Sequence, residues 1–500
     1  MEKVLIIGGG VAGLSAGIYA QKSGYKSIIA ERHDKLGGQL TGWQRGGYHV
    51  DNCIHWLTGT NKNTALYKQW NELGMLGDVD IIKAESLYTY EKGGVRLSLC
   101  ADIKKLENDM LAVAPEDVGE IKALISAVET VKKFSGTGGE NDDEKLSLSD
   151  ILFRCPSLLR YSLLTVGELA NMFDNKVIRG FLCSLLTKDF SAIALLTVFA
   201  TFTSGNGYLP AGGSLKAAQR MAERYLSLGG TAYCNKEAVR LNVEKGRARS
   251  VTFADGSEIS ADAFIFTGDP KMLFNKVIDG DMPFKLKRLY KSKAYKRFSA
   301  FQCAYSCDLA VLNFKGDFIF EPRYKFKKLT GSDYLVLKEF SHESSFAPEN
   351  KTVLQAMVVV DENRCRDFID KYRDKERYDE LKKAYIDVIT AAIIKKFPKL
   401  KESLYLLDSW TPATYRNYTL TETGSFMSFA FKGGVLPKKV SGKIPGIKNA
   451  FLATQWQHSP GGLPIAAECG RCAVELILSR RISGGVEKGA VKKARFGYSK

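Results

Sequence analysis

The chain has 500 residues, 45% hydrophobic and 25% charged, the composition of a soluble globular protein with two or three domains. Its 72 Lys and Arg against 55 Asp and Glu give a formal charge of +17, and the excess is clustered rather than spread. No run reaches the ~18 apolar residues of a membrane-spanning helix. Strand-like sequence from residue 3 leaves no room for a leader, so the expected place is the cytoplasm.

Met1–Ile7 reads as a short strand feeding Gly8-Gly9-Gly10-Val11-Ala12-Gly13, a G-x-G-x-x-G run at Gly8, Gly10 and Gly13. Gly8 permits the tight turn, Gly10 lets the backbone approach a pyrophosphate, and Gly13 lets the following helix pack close to the sheet. The spacing predicts a helix over Ala12–Ser23, stopped by Gly24, and a second strand over Lys26–Ala30. The helix start offers N–H groups and a positive dipole end to phosphates. Glu31 stands where a carboxylate accepts hydrogen bonds from ribose hydroxyls, which suits NAD or FAD and disfavours a 2′-phosphate. Gly37-Gly38 follows.

Residues of about 90–200 read as mostly helical, with an acidic, flexible interruption at Ser135–Glu144 expected as a surface loop. The run Ala192–Phe202 comes nearest to a spanning segment but is short and broken by Thr197 and Thr201. Tyr208–Ser214 then opens an amphipathic helix, Leu215–Ser227, ended by Gly229-Gly230. Short strands follow at Thr231–Cys234, Ala238–Val243, Ala248–Phe253 and Glu258–Ala261, with Asp255-Gly256 as a hairpin turn. Ala263–Phe266 reads as a buried strand ending in Thr267-Gly268-Asp269-Pro270. The order is that of a nucleotide-binding unit left and re-entered by the chain.

Residues of about 271–445 mix strands at Ser299–Ala304, Asp317–Phe320, Tyr334–Leu337 and Thr352–Val360 with a helix at Asp374–Phe397. Ala450–Thr454 is a last apolar strand. The loop Gln455–Pro464 carries Gly461-Gly462, and Ile465–Leu478 is a helix with Pro464 at its first turn. Residues 481–500 form a basic tail. Cys469 and Cys472 make a C-x-x-C, and Cys303 and Cys307 a C-x-x-x-C. Neither has a matching His or second Cys pair nearby, so small buried side chains are expected and no metal site.

The basic excess lies in Lys285–Arg297, with seven basic residues and no acid, and in Arg323–Lys328, with four. A solvated face, an anionic membrane surface and a nucleic acid would each suit such runs, but no nucleic-acid fold signature accompanies them.

Three nucleotide-binding segments separated by two insertions resemble the flavin amine-oxidase superfamily, and within it the phytoene (carotenoid) desaturase-like oxidoreductases. The likeness spans about residues 1–480. It is carried by Gly8–Gly38, Tyr208–Gly213, Gly256–Pro270 and Gln455–Pro464, with Thr411-Pro412-Ala413-Thr414 and Gly424-Ser425 fitting the late substrate segment. The resemblance implies an α/β fold: a glutathione-reductase-like, Rossmann-type FAD-binding domain split over 1–90, 205–270 and 446–480. A mixed α+β substrate domain would take 91–204 and 271–445. It implies FAD rather than NAD.

Gly8, Gly10, Val11, Ala12 and Gly13 would then hold the pyrophosphate, and Glu31 with Arg32 the adenosine ribose. Gly38 and Gln39 would line the passage to the flavin, Val239 would meet the adenine through its backbone, and Gly268 would sit at the adenosine end. Gln455 and the Gly461-Gly462-Leu463-Pro464 turn would meet the flavin's pyrimidine edge. There oriented N–H groups stabilise charge that builds on reduction. The departures are Gln39, where many members carry Arg, and Thr454-Gln455-Trp456, where an acidic residue is frequent. His55 and His458 are the candidate acid–base residues. Asp51 is expected as a loop anchor, and Trp56 and Trp456 as cavity walls.

The function this implies is FAD-dependent desaturation, saturation or isomerisation of C–C bonds in an apolar, carotenoid- or lipid-like substrate, with the basic clusters docking the protein on the inner face of an anionic membrane. Two other readings stay open: an amine or amino-acid oxidase, and a lipid- or prenyl-binding carrier on the same fold. The intact glycine set argues against a carrier.

Overall fold

The computed structural model describes residues 2–134, 155 and 158–483. The expected acidic loop at Ser135–Glu144 and nearly all of the basic tail lie outside them.

A five-stranded parallel sheet is the frame. Its order is Thr231–Tyr233, Lys26–Ala30, Lys3–Ile7, Ala263–Phe266, Ala450–Leu452. Every neighbouring pair is parallel. Alternation along each strand divides the apolar side chains between two faces. Val4, Ile6, Ile29, Ile265 and Phe451 join one core with helices Val11–Lys22, Gly213–Ser227 and Leu463–Ser483. Leu5, Ile7, Ile28, Phe264, Phe266 and Leu452 join another with the antiparallel sheet Ala238–Glu244, Arg247–Phe253, Glu258–Ser260. A sheet covered on both faces is why these strands are continuous apolar runs.

The first and last helices approach closely. A Cβ on Gly470 would lie 2.4 Å from the Ala12 carbonyl oxygen. Ser15 Oγ donates to the Ala467 carbonyl at 2.6 Å, fixing the register of the pair. On the neighbouring side, the Tyr225 hydroxyl lies 2.9 Å from the Ser27 carbonyl and accepts the Thr231 N–H at 3.1 Å, tying helix Gly213–Ser227 to the sheet edge.

The second layer is a seven-stranded sheet in the order Tyr405–Trp410, Phe298–Asp308, Lys351–Asp361, Leu335–Glu339, Asp317–Phe320, Ser86–Lys92, Val95–Cys100. Only the pair Asp317–Phe320 with Ser86–Lys92 is parallel. Phe301, Cys303, Phe318, Leu335 and Val358 face the helices Tyr324–Thr330, Glu362–Lys371 and Lys375–Lys396. The alternate residues Gln302, Ile319, Val336, Met357 and Val359 face a chamber between this sheet and the parallel one.

One sequence expectation changes here. The block from about residue 90 does not begin with helix: the hairpin Ser86–Lys92 and Val95–Cys100 extends the large sheet, and position 90/91 falls inside its first strand. Its partner strand lies more than two hundred residues away, so local pattern carried no sign of the pairing. The helices of the block follow, among them Ile103–Val113, Lys176–Leu185 and Ala192–Thr203. Among the described residues, no helix is long and apolar enough to cross a membrane. The very apolar Ala192–Thr203 is buried instead, one face on the core and one on the chamber.

A methyl group at Gly470 forces the first and last helices apart. Gly470→Ala is expected to cost about 1–3 kcal/mol, read as a lower melting temperature.

Candidate functional site

The carboxyl ends of the parallel strands converge, and their loops open one continuous cavity of about 1060 Å³. Such a crevice is where open α/β sheets bind ligands. It runs from the glycine loops, past Gln39 and His55, to an apolar tunnel between Ala192–Thr203 and the large sheet.

At the first end, Gly8 leaves its strand with φ +99°, and a Cβ there would lie 2.3 Å from Thr267 Oγ1. A Cβ on Gly13 would lie 1.9 Å from the Gly8 carbonyl oxygen, so the helix meets the strand end backbone to backbone. Gly10 is the N-cap of this helix and brings no side-chain cap, leaving its first N–H groups for a ligand. The second glycine loop faces the first: Gly37 N–H donates to the Gly9 carbonyl at 2.9 Å.

Glu31, only 5% exposed, accepts the Gly9 N–H at 2.7 Å and the His33 N–H at 2.9 Å. A carboxylate has about four acceptor sites, so it keeps capacity for hydroxyls in the cavity it lines. Arg32 Nη1 is buried in the same wall with no hydrogen-bond partner among the described residues. A buried guanidinium donor left open is a place for an anionic or carbonyl acceptor. Lys236, Glu237 and Ala238 form the adjoining wall with Gly268. Val239 follows Ala238 with its side chain 41% exposed to solvent, so the part expected of it falls to its backbone.

The middle of the cavity is held by hydrogen bonds across three distant segments. Asn52 Nδ2 donates to the Gln39 carbonyl at 3.2 Å, and Gln39 Nε2 to the Ser425 carbonyl at 3.3 Å. The Tyr415 hydroxyl donates to Asn52 Oδ1 at 3.1 Å and accepts from Gln302 Nε2 at 2.6 Å and Trp410 Nε1 at 3.0 Å. Burial raises the Tyr415 phenol, which keeps it protonated for this task. Thr411 caps the helix Pro412–Thr419 that carries Tyr415, its Oγ1 accepting the Thr414 N–H and its own N–H donating to Thr414 Oγ1. The sequence motif Thr-Pro-Ala-Thr is therefore the start signal of a helix that places a cavity residue.

Gln455 reaches both ways. Its Oε1 accepts the Gly462 N–H at 2.8 Å, and its Nε2 donates to the Phe426 carbonyl at 3.3 Å. This corrects one expectation: the Gly462 N–H is engaged within the loop, and the open donors at this turn belong to the first turn of helix Leu463–Ser483. Pro464 has no N–H to offer.

The two candidate histidines part company. His55 lines the cavity, its Nδ1 2.9 Å from Asp317 Oδ2. His458 does not line it. Its ring is half-buried beside Lys439, and burial lowers it to about 4, so it is neutral at neutral pH. Its carbonyl accepts Ser428 Oγ at 2.9 Å, a loop-fastening role. Asp51 accepts the Ser214 N–H at 3.0 Å and anchors its loop, while Trp56 and Trp456 stand in the wall. Trp456 is backed by the stacked ring of Tyr290, centroids 5.6 Å apart.

Sequence reasoning missed Asp317, Gln302, Asn52 and Tyr415. Asp317 carried one legible signal, an acid at the start of an otherwise apolar strand.

Beyond His55 the wall is mostly apolar, with Leu185, Phe190, Ile193, Val198, Val336 and Phe431 among its side chains. The opening is rimmed by charge. Lys188 pairs with Asp333 at 2.8 Å, Lys327 with Asp333 at 2.5 Å, and Lys296 with Asp189. Among the described residues no group of His, Cys, Asp and Glu is arranged to hold a metal ion.

A family model described as flavin containing amine oxidoreductase matches residues 11–478. The 4,4'-diapolycopen-4-al dehydrogenase of Metabacillus indicus is 23% identical, covering 95% of this chain and 97% of that protein. The lycopene-forming phytoene desaturase of Pseudescherichia vulneris is 25% identical over 58% of this chain and 60% of its own length. Among solved structures, a triple mutant of putrescine oxidase superposes with a TM-score of 0.61 at 16% identity, covering 96% of this chain and 99% of that one.

Gly13→Ala is expected to abolish retention of a bound dinucleotide, since the added methyl overlaps the Gly8 carbonyl. Glu31→Ala is expected to weaken retention about tenfold or more, as a charged hydrogen bond contributes about 1.5–3 kcal/mol. Cofactor released on heating, quantified against protein, checks both.

Proposed function

We propose, for a chain that belongs to the flavin containing amine oxidoreductases and uses FAD, that the reaction is the introduction, removal or isomerisation of C–C double bonds in an apolar polyene or lipid. One observation carries this reading: the glycine loops and an apolar tunnel are two ends of a single cavity. The residues present suit the cofactor. The uncapped helix start at Gly10 and the buried Glu31 carboxylate are what a dinucleotide requires, and Arg32 Nη1, without a partner among the described residues, adds an open donor.

In this reading Gly8, Gly10, Val11 and Ala12 hold the pyrophosphate, with Gly13 permitting the close approach. Glu31 and Arg32 hold the ribose, Lys236–Ala238 and Gly268 border the adenine, and Gly38 and Gln39 line the way to the flavin. Gln455, Gly462, Leu463 and Pro464 border the ring. The bound cofactor supplies a two-electron hydride acceptor or donor. The protein's share is to orient the chain, exclude water and manage a proton. Leu185, Phe190, Ile193, Val198 and Phe431 would take an extended hydrocarbon out of water, each buried CH₂ contributing about 0.8 kcal/mol. A cationic amine would lose its hydration in the same tunnel without a matching gain, which sets amine oxidation second.

We further assign the parallel sheet and its loops as a Rossmann-type, glutathione-reductase-like domain built from three segments, the first ending before Ser86. The large mixed sheet and the helices from Ile103 to Thr203 form the substrate domain. Both basic clusters reach the tunnel opening, Lys296 through Asp189 and Lys327 through Asp333. Each also begins beside an exposed ring, Phe284 at 72% and Tyr324 at 76%. Basic residues with an exposed aromatic suit an anionic membrane surface, from which an apolar substrate would enter.

The purified protein, dispersed with phytoene or lycopene in lipid vesicles, is expected to convert one of them, read by chromatography. Ala194→Trp, which fills the tunnel, is expected to keep FAD and lose conversion. No conversion of either polyene overturns the reading. Flotation with phosphatidylglycerol vesicles at low salt, reversed at high salt, is expected. Failure to float removes the membrane assignment alone.

A further inference from the structure

We propose that His55 is the proton-transfer residue of this site and that Asp317 positions it. The inference rests on the polyene reading above. Making a C=C bond from two adjacent C–H bonds removes a hydride, for which FAD is the acceptor, and a proton. As the second C–H bond breaks, its electron pair becomes the π bond and the proton passes to His55 Nε2. In the saturating direction the same atom returns it.

The geometry supports this assignment at several points. Asp317 is 8% exposed, on a strand whose residues of the same face, Asp317 and Ile319, both line the cavity. A buried carboxylate requires a partner, and among the described residues its side-chain partner is His55 Nδ1 at 2.9 Å. That bond selects the tautomer with the proton on Nδ1 and leaves the lone pair on Nε2. His55 Nε2 has no hydrogen-bond partner among the described residues, and the ring stands in the cavity wall where the polar middle meets the apolar tunnel.

The loop is held from behind. Ile54 N–H donates to Ser214 Oγ at 2.9 Å, and Lys338 Nζ donates to the carbonyls of Ile54 at 2.8 Å and His55 at 3.2 Å. Lys338, 2% exposed, has no ion pair among the described residues, so these carbonyls are what it is buried for. Gln355 Nε2 donates to the Asp51 carbonyl at 2.5 Å. A ring fixed at its backbone and at one nitrogen, with the other nitrogen open to the cavity, is the arrangement of an oriented base. It leaves an angle of attack set before substrate arrives, which is the larger part of such a residue's contribution. Cys53, Asp317, Lys338, Glu339 and His342 are among the charged or titratable groups at this corner.

The test uses the FAD-loaded full chain as wild type, His55→Gln and Asp317→Asn, each checked for FAD content and melting temperature. Nitrogen NMR of the labelled His55 ring is expected to show the Nδ1-protonated tautomer. In Asp317→Asn the two neutral tautomers are expected to mix. Conversion of phytoene or lycopene is expected to fall at least about 100-fold in His55→Gln, with polyene binding, read by flavin fluorescence quenching, unchanged. In Asp317→Asn conversion is expected to fall along with the loss of the single tautomer, with polyene binding unchanged. An Nε2-protonated ring, or His55→Gln within threefold of wild type, overturns the proposal while leaving the polyene reading intact. A wild type inactive on both polyenes overturns the polyene reading and the proton-transfer role with it.

Discussion

Everything in this molecule depends on the strand Lys3–Ile7 pairing in parallel with Lys26–Ala30 on one side and Ala263–Phe266 on the other. Parallel neighbours put all their carboxyl ends on one edge. The turn at Gly8, the acid at Glu31 and the turn at Thr267-Gly268 therefore meet because the hydrogen-bond register brings them together, although more than two hundred residues of chain separate the first from the last. The pair Ala263–Phe266 with Ala450–Leu452 adds the Gln455–Pro464 loop to the same edge. Folding the frame and building the site are one event.

The frame also accounts for the placement of the insertions. Both leave the sheet at its loop edge and return to it, so the large mixed sheet and the helices of the first insertion stand over the opening. Period-2 alternation divides each of its strands into a helix-packed face and a cavity face. The cavity face bears mostly apolar side chains, interrupted by Gln302, Asp317 and Asp361. Gln302 and Asp317 have side-chain partners there, Tyr415 and His55.

Much of the site was legible in the chain because its cradle rests on local chemistry. Gly13 cannot carry a side chain next to the Gly8 carbonyl, and a glycine fingerprint followed by an acid at Glu31 records that constraint directly. The helix start beside Pro464 was visible for a similar reason, since a first-turn proline acts within one turn. The hairpin Ser86–Cys100 was not legible as part of the large sheet, because its pairing with Asp317–Phe320 is a contact between remote segments. His458 was plausible by position in the chain, and its side chain faces elsewhere because loop closure, not spacing, decides direction.

By itself the sequence determined the glycine cradle, the acid beside it, the class of the core and the basic clusters, all of which depend on residue type and short-range spacing. Only the tertiary structure decided that cradle and tunnel are one cavity, that His55 rather than His458 stands in its wall, and that Asp317 is the partner of that ring. The physical reason is that a buried carboxylate and an imidazole recognise each other through a distance of 2.9 Å in space, while the two stand 262 positions apart in the chain, beyond the reach of any local pattern.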